Sequence, residues 1–345
     1  MMSRSLICLL SCLLCLSCGN SSPSSTNKTK ERNELNNQLA TFQGIAMTIP
    51  YRIEIGKPLN ATQKQAVQNA IDATFQEINT IYNKWNPESE LSQINRLPAN
   101  QKMTLSNELA AFLKRCDYFV RLSDGRFDPT IEPIQQLWKK HLENNSLPVV
   151  AEIEAIRPAI GWGNIVLSDA TISKKHARTA LDLGGIAKGY GVDLLTERLV
   201  RAGYSHVFVE WGGEVRAAGR HPQGRNWAVY ISNLEDLNPE HALAYVPLCN
   251  QAIATSGDYL QQWQGAGGET YFHVFDPQTL KPLKMTPFSM ASASVLTKEC
   301  MTADALATML LMCPTLEEAK LLAAKLQKEV PGSAYWLMSR QECER

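Results

Sequence analysis

The sequence lacks several features that would assign it to a class directly. Its 34 basic and 34 acidic residues cancel, so no overall charge favours nucleic acid or an anionic membrane surface. It contains no internal repeat, no Walker A loop and no GxGxxG fingerprint. Beyond residue 18 no CxxC pair occurs, which predicts no zinc site and no dense disulfide framework but permits one bridge among Cys116, Cys249, Cys300, Cys313 and Cys343.

The N-terminus contains a short apolar run but no membrane-spanning one. Leu6–Leu16 follows Arg4 and is shorter than the roughly 20 residues that a transmembrane helix needs, which is typical of a signal peptide over residues 1–17. The run ends in Leu16-Ser17-Cys18-Gly19, which resembles a bacterial lipobox and implies lipidation of Cys18. Cys15 stands where a lipobox usually has Leu. Cys12 is a weaker anchor, and a signal peptide cut without lipidation remains the alternative.

Residues 18–38 are rich in Ser, Asn, Thr and Lys and have too few apolar side chains to form a core, so they are predicted to be a flexible tether. The expected location is therefore outside the cytoplasm, with the lipid in a bacterial membrane and the folded part facing the periplasm. Gly19 disfavours a retention signal for the inner membrane but does not decide between the two membranes.

Residues 39–345 are expected to form one α+β domain, a mostly antiparallel sheet with flanking helices. Apolar residues at helical spacing predict helices over 63–83, after Ser106, and over 187–202, 302–312 and 316–327. Short β-rich runs bounded by Gly, Pro and Asp predict strands over 164–167, 171–173, 180–183, 206–210, 227–232, 251–255, 271–275 and 289–296.

The segment from Asp182 to Tyr190 is the most informative part of the chain. It is interpreted as a strand that enters the paired glycines Gly184-Gly185 and opens a helix with Lys188 in its first turn. Glycines let backbone N–H groups approach phosphate oxygens, and the helix N-terminus and the lysine add positive charge. The segment therefore suits a pyrophosphate. A tight turn with a surface lysine is the alternative interpretation.

A second segment, Thr302–Thr308, places Asp304 and Thr308 four residues apart, hence on one helix face. A carboxylate and a hydroxyl are hard oxygen donors of the kind that Mg²⁺ prefers, with phosphate and water completing its shell. An aspartate near a helix start also commonly caps the helix, so the pair alone does not identify a metal site.

Four further clusters are rich in groups that form loops or binding sites. They are Trp85–Leu91, Asp124–Thr130, Thr255–Tyr259 and His273–Pro277. Each has a simpler interpretation as a turn. Their occurrence together with the glycine segment in one chain favours a functional site.

In this order the segments resemble the ApbE family of FAD:protein FMN transferases. The resemblance covers about Gly44 to Leu311 and rests on GIAM, NPESELSQIN, DGRFDPT, DLGGIAKGYGVD, EWGGEVRAAG, ATSGDY, HVFDPQT and TADALAT. DLGGIAKGY and ADALAT are highly specific. The resemblance implies a T-fold-like domain, FAD as substrate, Mg²⁺ as cofactor and an exported flavoprotein as acceptor, such as a subunit of a redox-driven pump.

The resemblance also implies roles for particular residues. It places Mg²⁺ on the carbonyl of Ala187 and the side chains of Asp304 and Thr308. It places His273 beside the reacting phosphate, as the candidate base, with Asp182 as the alternative base or as a brace for the glycine turn. The residues implied to bind FAD are Met47, Lys84, Trp85, Asn86, Asp128, Lys188, Tyr190, His273 and Val274.

The implied reaction is attack by a threonine hydroxyl of the acceptor on the FMN-side phosphorus of FAD, which releases AMP. Two departures from the family pattern concern its turns: Thr48 follows Met47 where the family usually has Gly, and Leu280 ends a turn where the family has Gly. Two other functions remain open. One is an FAD pyrophosphatase, in which water replaces threonine; the other is a flavin-binding or solute-binding lipoprotein without turnover.

Overall fold

The computed structural model describes residues 39–144, 146–234, 238–258, 262–265 and 267–343. The predicted signal peptide, the tether and Cys18 lie outside the described residues. No helix in the described ranges is long and apolar enough to cross a membrane.

The helices and strands alternate irregularly along the chain. The helices are α1 Ala61–Ile81, α2 Glu90–Arg96, α3 Asn107–Leu122, α4 Glu132–Glu143, α5 Val150–Ile156, α6 Ala187–Arg201, α7 Cys300–Leu311, α8 Leu316–Glu329 and α9 Arg340–Cys343. The strands are β1 Ala40–Ala46, β2 Ile49–Ile55, β3 Met103–Thr104, β4 Ile165–Ser168, β5 Thr171–Lys174, β6 Val207–Trp211, β7 Glu214–Ala218, β8 Trp227–Ile231, β9 Ala244–Leu248, β10 Gln251–Gly257, β11 Gln262–Gln264, β12 Thr270–Asp276, β13 Lys281–Lys284, β14 Met290–Thr297 and β15 Ala334–Ser339.

A seven-stranded antiparallel sheet organises the fold, in the order β1-β2-β6-β7-β10-β14-β15. Smaller sheets are formed by β11-β12-β13, by β3-β5-β4 and by β8-β9. The α+β class and the largely antiparallel sheet that the sequence predicts are confirmed.

The two faces of the main sheet are covered differently. Along β6, Val207 and Val209 face the large core that α1, α6 and α7 share, whereas Phe208 faces a smaller core. The β8–β9 hairpin closes that smaller core with Trp227 and Leu248. Successive residues of a strand point to opposite faces of the sheet. Val207 and Val209 of β6 therefore pack against the helices.

The predicted helices are confirmed, with ends that local chemistry explains. Ser106 accepts a hydrogen bond from the N–H of Leu109 and caps α3, as the sequence predicts. Asn60 and Gln63 form a reciprocal capping box that starts α1 two residues before the predicted position. Helix α7 is buried on nearly all sides, so it lacks a polar face.

The predicted strand over 180–183 is wrong. Only an isolated bridge joins Ala180 to Ile131. Instead, the side chain of Asn95 bonds both backbone groups of Leu181, at 2.7 Å to its N–H and 2.9 Å to its carbonyl, and Asp182 N–H donates to the carbonyl of Pro129 at 2.8 Å. An amide side chain and a loop therefore satisfy the extended backbone that a neighbouring strand would otherwise pair.

The β1–β2 hairpin contains a strained residue. Its two-residue turn, Met47-Thr48, has φ of +49° and +68°, and a β-branched residue is disfavoured at positive φ. We therefore expect Thr48→Gly to raise the free energy of unfolding by about 1 kcal/mol, measured by chemical denaturation. Asn100→Gly is the matched control, because exposed Asn100 at φ +63° already tolerates this conformation and should gain little. An equal gain in both variants would refute strain at Thr48.

Candidate active site

Several strands of the main sheet end or turn at the same end of the sheet, which we call the site end. It comprises the β1–β2 turn, the Gly212-Gly213 turn between β6 and β7, and the end of β10 at Gly257. A Cβ on Gly212 would lie 2.7 Å from Cγ2 of Ile49 and 3.7 Å from Cδ of Lys188. The turn after β6 therefore lies between the hairpin that carries Met47 and the first turn of α6.

Helices α6 and α7 approach each other closely at the site end. A Cβ on Gly189 would lie 2.4 Å from the carbonyl oxygen of Cys300 and 2.8 Å from Cβ of Asp304. Only glycine permits this approach. Asp193 joins the two helices further along, since its carboxylate accepts from the N–H groups of Cys300 and Met301, each at 2.8 Å.

The two predicted metal-binding side chains of α7 both contact the start of α6. Oδ2 of Asp304 accepts the N–H of Gly189 at 2.9 Å, and the hydroxyl of Thr308 lies 3.5 Å from the carbonyl oxygen of Gly185. Ala187 lies between these two contact points in the chain. Ser256, at the end of β10, lies 3.3 Å from the Thr308 hydroxyl. The structure therefore brings together the segments that carry the three predicted ligands.

Lys188 is paired with a residue to which sequence reasoning gave no role. Its Nζ donates to Oε1 of Glu214 at 2.6 Å, and Glu214 is only 2% exposed. Burial raises the pKa of Glu214 to about 7, although Lys188 opposes this and Asp304 adds to it. Burial alone would lower the pKa of Lys188, but the charges of Asp304 and Glu214 outweigh it and hold that pKa above its usual value.

These buried groups suit a divalent cation. Oδ2 of Asp304 accepts from Gly189, and among the described residues the buried Oε2 of Glu214 has no hydrogen-bond partner. Burial raises the pKa of Asp304, and Lys188 and the N–H of Gly189 offset this only in part. The described ranges contain no cluster of three or more His, Cys, Asp or Glu side chains with metal-binding geometry. Hard oxygens from one carboxylate, one hydroxyl and the backbone fit Mg²⁺, which keeps several other positions for water or phosphate.

Asp182 lies in a second charged group beside the glycine segment. Its Oδ2 accepts from Nζ of Lys84 at 3.0 Å, and Lys84 also binds Glu132 on α4 at 2.5 Å. Its Oδ1 accepts the N–H of Gly184 at 2.7 Å. Burial would raise the pKa of Asp182, but Lys84 and the Gly184 N–H outweigh it and lower that pKa. A carboxylate so engaged braces the glycine turn, and its lowered pKa makes it a weak base.

The neighbouring Trp85 is exposed to solvent at 72%. The ammonium groups of Lys84 and Lys139 each lie over its ring, 5.1 Å from the ring centroid, as in cation–π contacts. Asn86 donates to the carbonyl of Asn79 at 2.9 Å and so fixes the turn that follows α1.

Two other residues implied to contact FAD are held in the interior. Asp128 is 8% exposed; it accepts from the N–H and hydroxyl of Thr130 at 2.8 and 2.7 Å and from the N–H of Trp162 at 3.0 Å. Tyr190 packs in an aromatic group with Tyr82 and Phe112, at centroid distances of 5.2 and 5.1 Å. In the structure, Asp128 closes a turn and Tyr190 supports the first turns of α6.

His273 lies on β12, in the three-stranded sheet formed with β11 and β13, which we call the ribbon. His273 is half-buried, and its Nδ1 is buried. Phe272 and Val274 pack against the main core, whereas Phe275 packs against Trp138 of α4. The ribbon therefore packs against the main core on one side and against α4 on the other.

Sequence reasoning missed the partners that come from distant strands. Glu214 and Arg216, two residues apart on β7, pair with Lys188 and Asp193 of α6 at 2.6 and 2.7 Å. The sequence indicates these partners only by two charged residues that lie two apart on a strand, directly after Gly212-Gly213. Cys116, Cys249, Cys300 and Cys313 are free thiols.

Comparisons with known proteins identify the family of the chain. A model of the family described as "ApbE family" matches residues 47–332. The FAD:protein FMN transferase of Chlamydia pneumoniae is 39% identical over 287 residues, which cover 83% of this chain and 88% of that protein. The protein of the same name from Vibrio cholerae is 30% identical, with 78% of this chain and 80% of that protein covered.

Solved structures show the same fold. The flavinyl transferase ApbE of Pseudomonas stutzeri in its apo form superposes with a TM-score of 0.76 at 26% identity, covering 88% of this chain and 91% of that one. The flavin transferase ApbE of Vibrio cholerae superposes with a TM-score of 0.72 at 27% identity, covering 88% and 98%. The residues 47–332 that the family model matches include both α6 and α7.

Proposed function

This chain is an enzyme of the ApbE family, and we propose that it transfers FMN from FAD to a threonine of an exported flavoprotein, with Mg²⁺ required and AMP released. Relatives named FAD:protein FMN transferase support the transfer of FMN to a protein. The observation that carries the proposal is the convergence of Asp304 and Thr308 on the first turn of α6, beside Lys188.

The proposed metal site consists of the carbonyl of Ala187 and the side chains of Asp304 and Thr308. A bound Mg²⁺ would supply charge neutralisation at the pyrophosphate. Lys188 would add a positive charge beside the pyrophosphate at the start of α6. Ser256 orients the Thr308 hydroxyl through their 3.3 Å contact.

In the proposed reaction, the threonine oxygen forms a bond to the FMN-side phosphorus, and the bond from that phosphorus to the bridging oxygen breaks. The bridging oxygen leaves with AMP, and the threonine proton passes to a base. We assign this role to His273, because histidine is the side chain that most often serves as a general base and the family resemblance places it beside the reacting phosphate. Asp182 is assigned the bracing role instead, because Lys84 and the Gly184 N–H already engage its two oxygens.

The flavin side of the site is assigned to the surface around Trp85. Its exposed ring would supply aromatic contact area to the flavin, and the ammonium of Lys139 over the ring would add positive charge there. Met47 and Val274 would supply apolar contacts, since both are partly buried against the main core. Asn86, Asp128 and Tyr190 would act by holding the loops and helix that carry these contacts.

Export and anchoring remain part of the proposal. The lipobox-like sequence at Cys18 and the polar stretch that follows support a lipid-anchored protein facing the periplasm. Labelling with radioactive palmitate, compared between the wild type and Cys18→Ala, tests this. Equal label in both proteins would exclude Cys18 as the lipidation site.

One assay separates the possible functions. The purified soluble part is incubated with FAD, Mg²⁺ and an exported flavoprotein domain that contains an acceptor threonine, and AMP and protein-bound flavin are measured. Both products are expected, in equal amounts and only with Mg²⁺. AMP without labelled protein would indicate a pyrophosphatase, and neither product would indicate a binding protein.

The Lys188–Glu214 pair allows a test of charge at the site. Lys188→Met leaves the Glu214 carboxylate buried without its counter-ion, so we expect a loss of about 3 kcal/mol in unfolding free energy at pH 8. The loss should be smaller at pH 6, because the pKa of Glu214, about 7 even with Lys188 present, rises further and the carboxyl becomes neutral. The free energy is measured by denaturant unfolding at both pH values.

The double variant Lys188→Met/Glu214→Gln is the control. It should restore stability at pH 8. FMN transfer should remain at least about tenfold slower than in the wild type, because the positive charge of Lys188 beside the phosphate is lost. The unfolding free energy of the double variant should also depend less on pH than that of the wild type. A raised folded pKa means that ionisation of Glu214 lowers wild-type stability as pH rises from 4.5 through 7. Restored transfer in the double variant would exclude a role for Lys188 beyond balancing Glu214.

A further inference from the structure

The end of β10 is held by a residue from the C-terminus of the chain. Asp258, directly after β10, is fully buried, and Arg340 of α9 donates to both of its carboxylate oxygens, with Nε at 2.7 Å from Oδ2. A buried carboxylate bound by both arms of a guanidinium is one of the strongest and most directional pairs available to a protein. Residues 334–343 lie beyond the residues that the family model matches.

Arg340 is itself fixed in position. Its N–H donates to the carbonyl of Ser289 at 3.0 Å, and the N–H of Gln341 donates to the carbonyl of Pro287 at 2.8 Å. Glu342 accepts from the N–H of Ser339 at 3.1 Å and from its hydroxyl at 3.2 Å, which holds the turn that starts α9. The guanidinium therefore projects from backbone that is tied to the start of β14.

Asp258 joins two parts of the candidate site. On one side, Ser256 lies two residues earlier and contacts Thr308 at 3.3 Å. On the other, the carbonyl of Asp258 accepts from the side chain of Gln262, the first residue of β11, at 3.1 Å. The ribbon that begins with β11 carries His273. Asp258 therefore connects the end of β10, beside Thr308, with the first strand of the ribbon.

We propose that Arg340 is a positioning residue, which holds Asp258 so that the His273 ribbon and the Thr308 end of α7 keep their relative placement. This inference rests on the proposed function for the roles of His273 and Thr308. Arg340 does not touch substrate in this arrangement; it acts through Asp258. The C-terminal segment is therefore a functional part of the enzyme.

The test uses Arg340→Lys, which keeps the positive charge but cannot bind both oxygens with fixed geometry. Hydrogen exchange is measured without FAD or Mg²⁺ on peptides that cover 253–258 and 262–265. Exchange in both should become about tenfold faster, because the carboxylate and the backbone next to it lose their fixed partner. The kcat of FMN transfer should fall about tenfold while KM for FAD stays within about twofold, since misplaced catalytic groups slow the chemical step rather than binding.

Arg52→Lys is the matched control. Arg52 also pairs with carboxylates, Glu54 and Glu210, at 2.9 and 3.1 Å, but it lies on the face of the sheet that carries Phe208, away from α6 and α7. Its substitution should leave the exchange of both peptides and kcat unchanged. Equal effects in the two variants would assign Arg340 only a general role in stability and overturn the inference.

If Arg340→Lys does not fold, the double variant Asp258→Asn/Arg340→Gln replaces it, because it leaves no buried charge without a partner. The same faster exchange is expected in that variant. Unchanged exchange in both peptides contradicts the inference. If the wild type transfers no FMN, the proposed function fails, and the exchange measurement still decides whether Arg340 holds the junction.

Discussion

Asp304→Asn should fold as well as the wild type yet transfer FMN at least about 100-fold more slowly. The substitution keeps the shape of the side chain and an oxygen that can accept the N–H of Gly189. It removes the only carboxylate among the three proposed Mg²⁺ ligands. A metal that stabilises charge at a phosphate contributes several kcal/mol to the reaction, and about 1.4 kcal/mol corresponds to a factor of ten in rate.

Two measurements separate loss of metal from loss of fold. The first is the initial rate of AMP release and of protein labelling across a Mg²⁺ titration. The second is the melting temperature with and without Mg²⁺, because a ligand that binds the folded state raises it. We expect the wild type to gain stability with Mg²⁺ and Asp304→Asn to gain none. Without Mg²⁺ the variant should be at least as stable, because burial disfavours the Asp304 charge.

Asp72→Asn is the matched control. Asp72 is exposed on α1 and contacts only Gln68 at 2.8 Å among the described hydrogen bonds, so its substitution should change neither the rate nor the response to Mg²⁺. Full Mg²⁺-dependent activity in Asp304→Asn or Asp304→Ala would remove Asp304 from the metal site.

Gly189→Ala is expected to lower the free energy of unfolding by about 3 kcal/mol and to slow transfer about 100-fold. In an exposed helix this substitution normally stabilises by about 1 kcal/mol, because alanine favours the helix. Here the new Cβ would lie 2.4 Å from the backbone of Cys300, which cannot rotate away. Helices α6 and α7 must separate, and the separation moves Ala187 away from Asp304 and Thr308.

Chemical denaturation and the transfer assay measure the two effects. Gly163→Ala is the control, because a Cβ there meets nothing within 4 Å and Gly163 does not have positive φ. Its stability should stay within about 1 kcal/mol of the wild type, with full activity. Wild-type stability and activity in Gly189→Ala would show that the helices do not need this close approach.

Local patterns predicted the elements whose stability is local. The helix after Ser106 begins where its capping hydroxyl predicts, and α8 follows the cap at Thr315. Strand β8 lies within the predicted β-rich run 227–232, and β14 matches the predicted run 289–296 to within one residue at each end. In each case the side chains that determine the element lie within a few residues of it.

The prediction of a strand over 180–183 was wrong because the contacts that determine its backbone come from distant parts of the chain. Its β-rich sequence is typical of a strand, but in the described part of the chain only the isolated bridge to Ile131 pairs with it. The amide of Asn95 and the carbonyl of Pro129 take up its backbone hydrogen bonds instead. Such partners are set by the packing of α2 and of the loop after α3, which no local pattern contains.

The sequence by itself determined the α+β class, the family and the pair of oxygens on α7, because periodicity, i to i+4 spacing and family motifs are properties of neighbouring residues. Only the tertiary structure decided which groups face that pair. It placed Gly189 against Cys300, Glu214 on Lys188 and Arg340 on Asp258, contacts that join residues far apart in the chain. Their geometry depends on how the sheet and helices pack, and packing is a property of the whole fold.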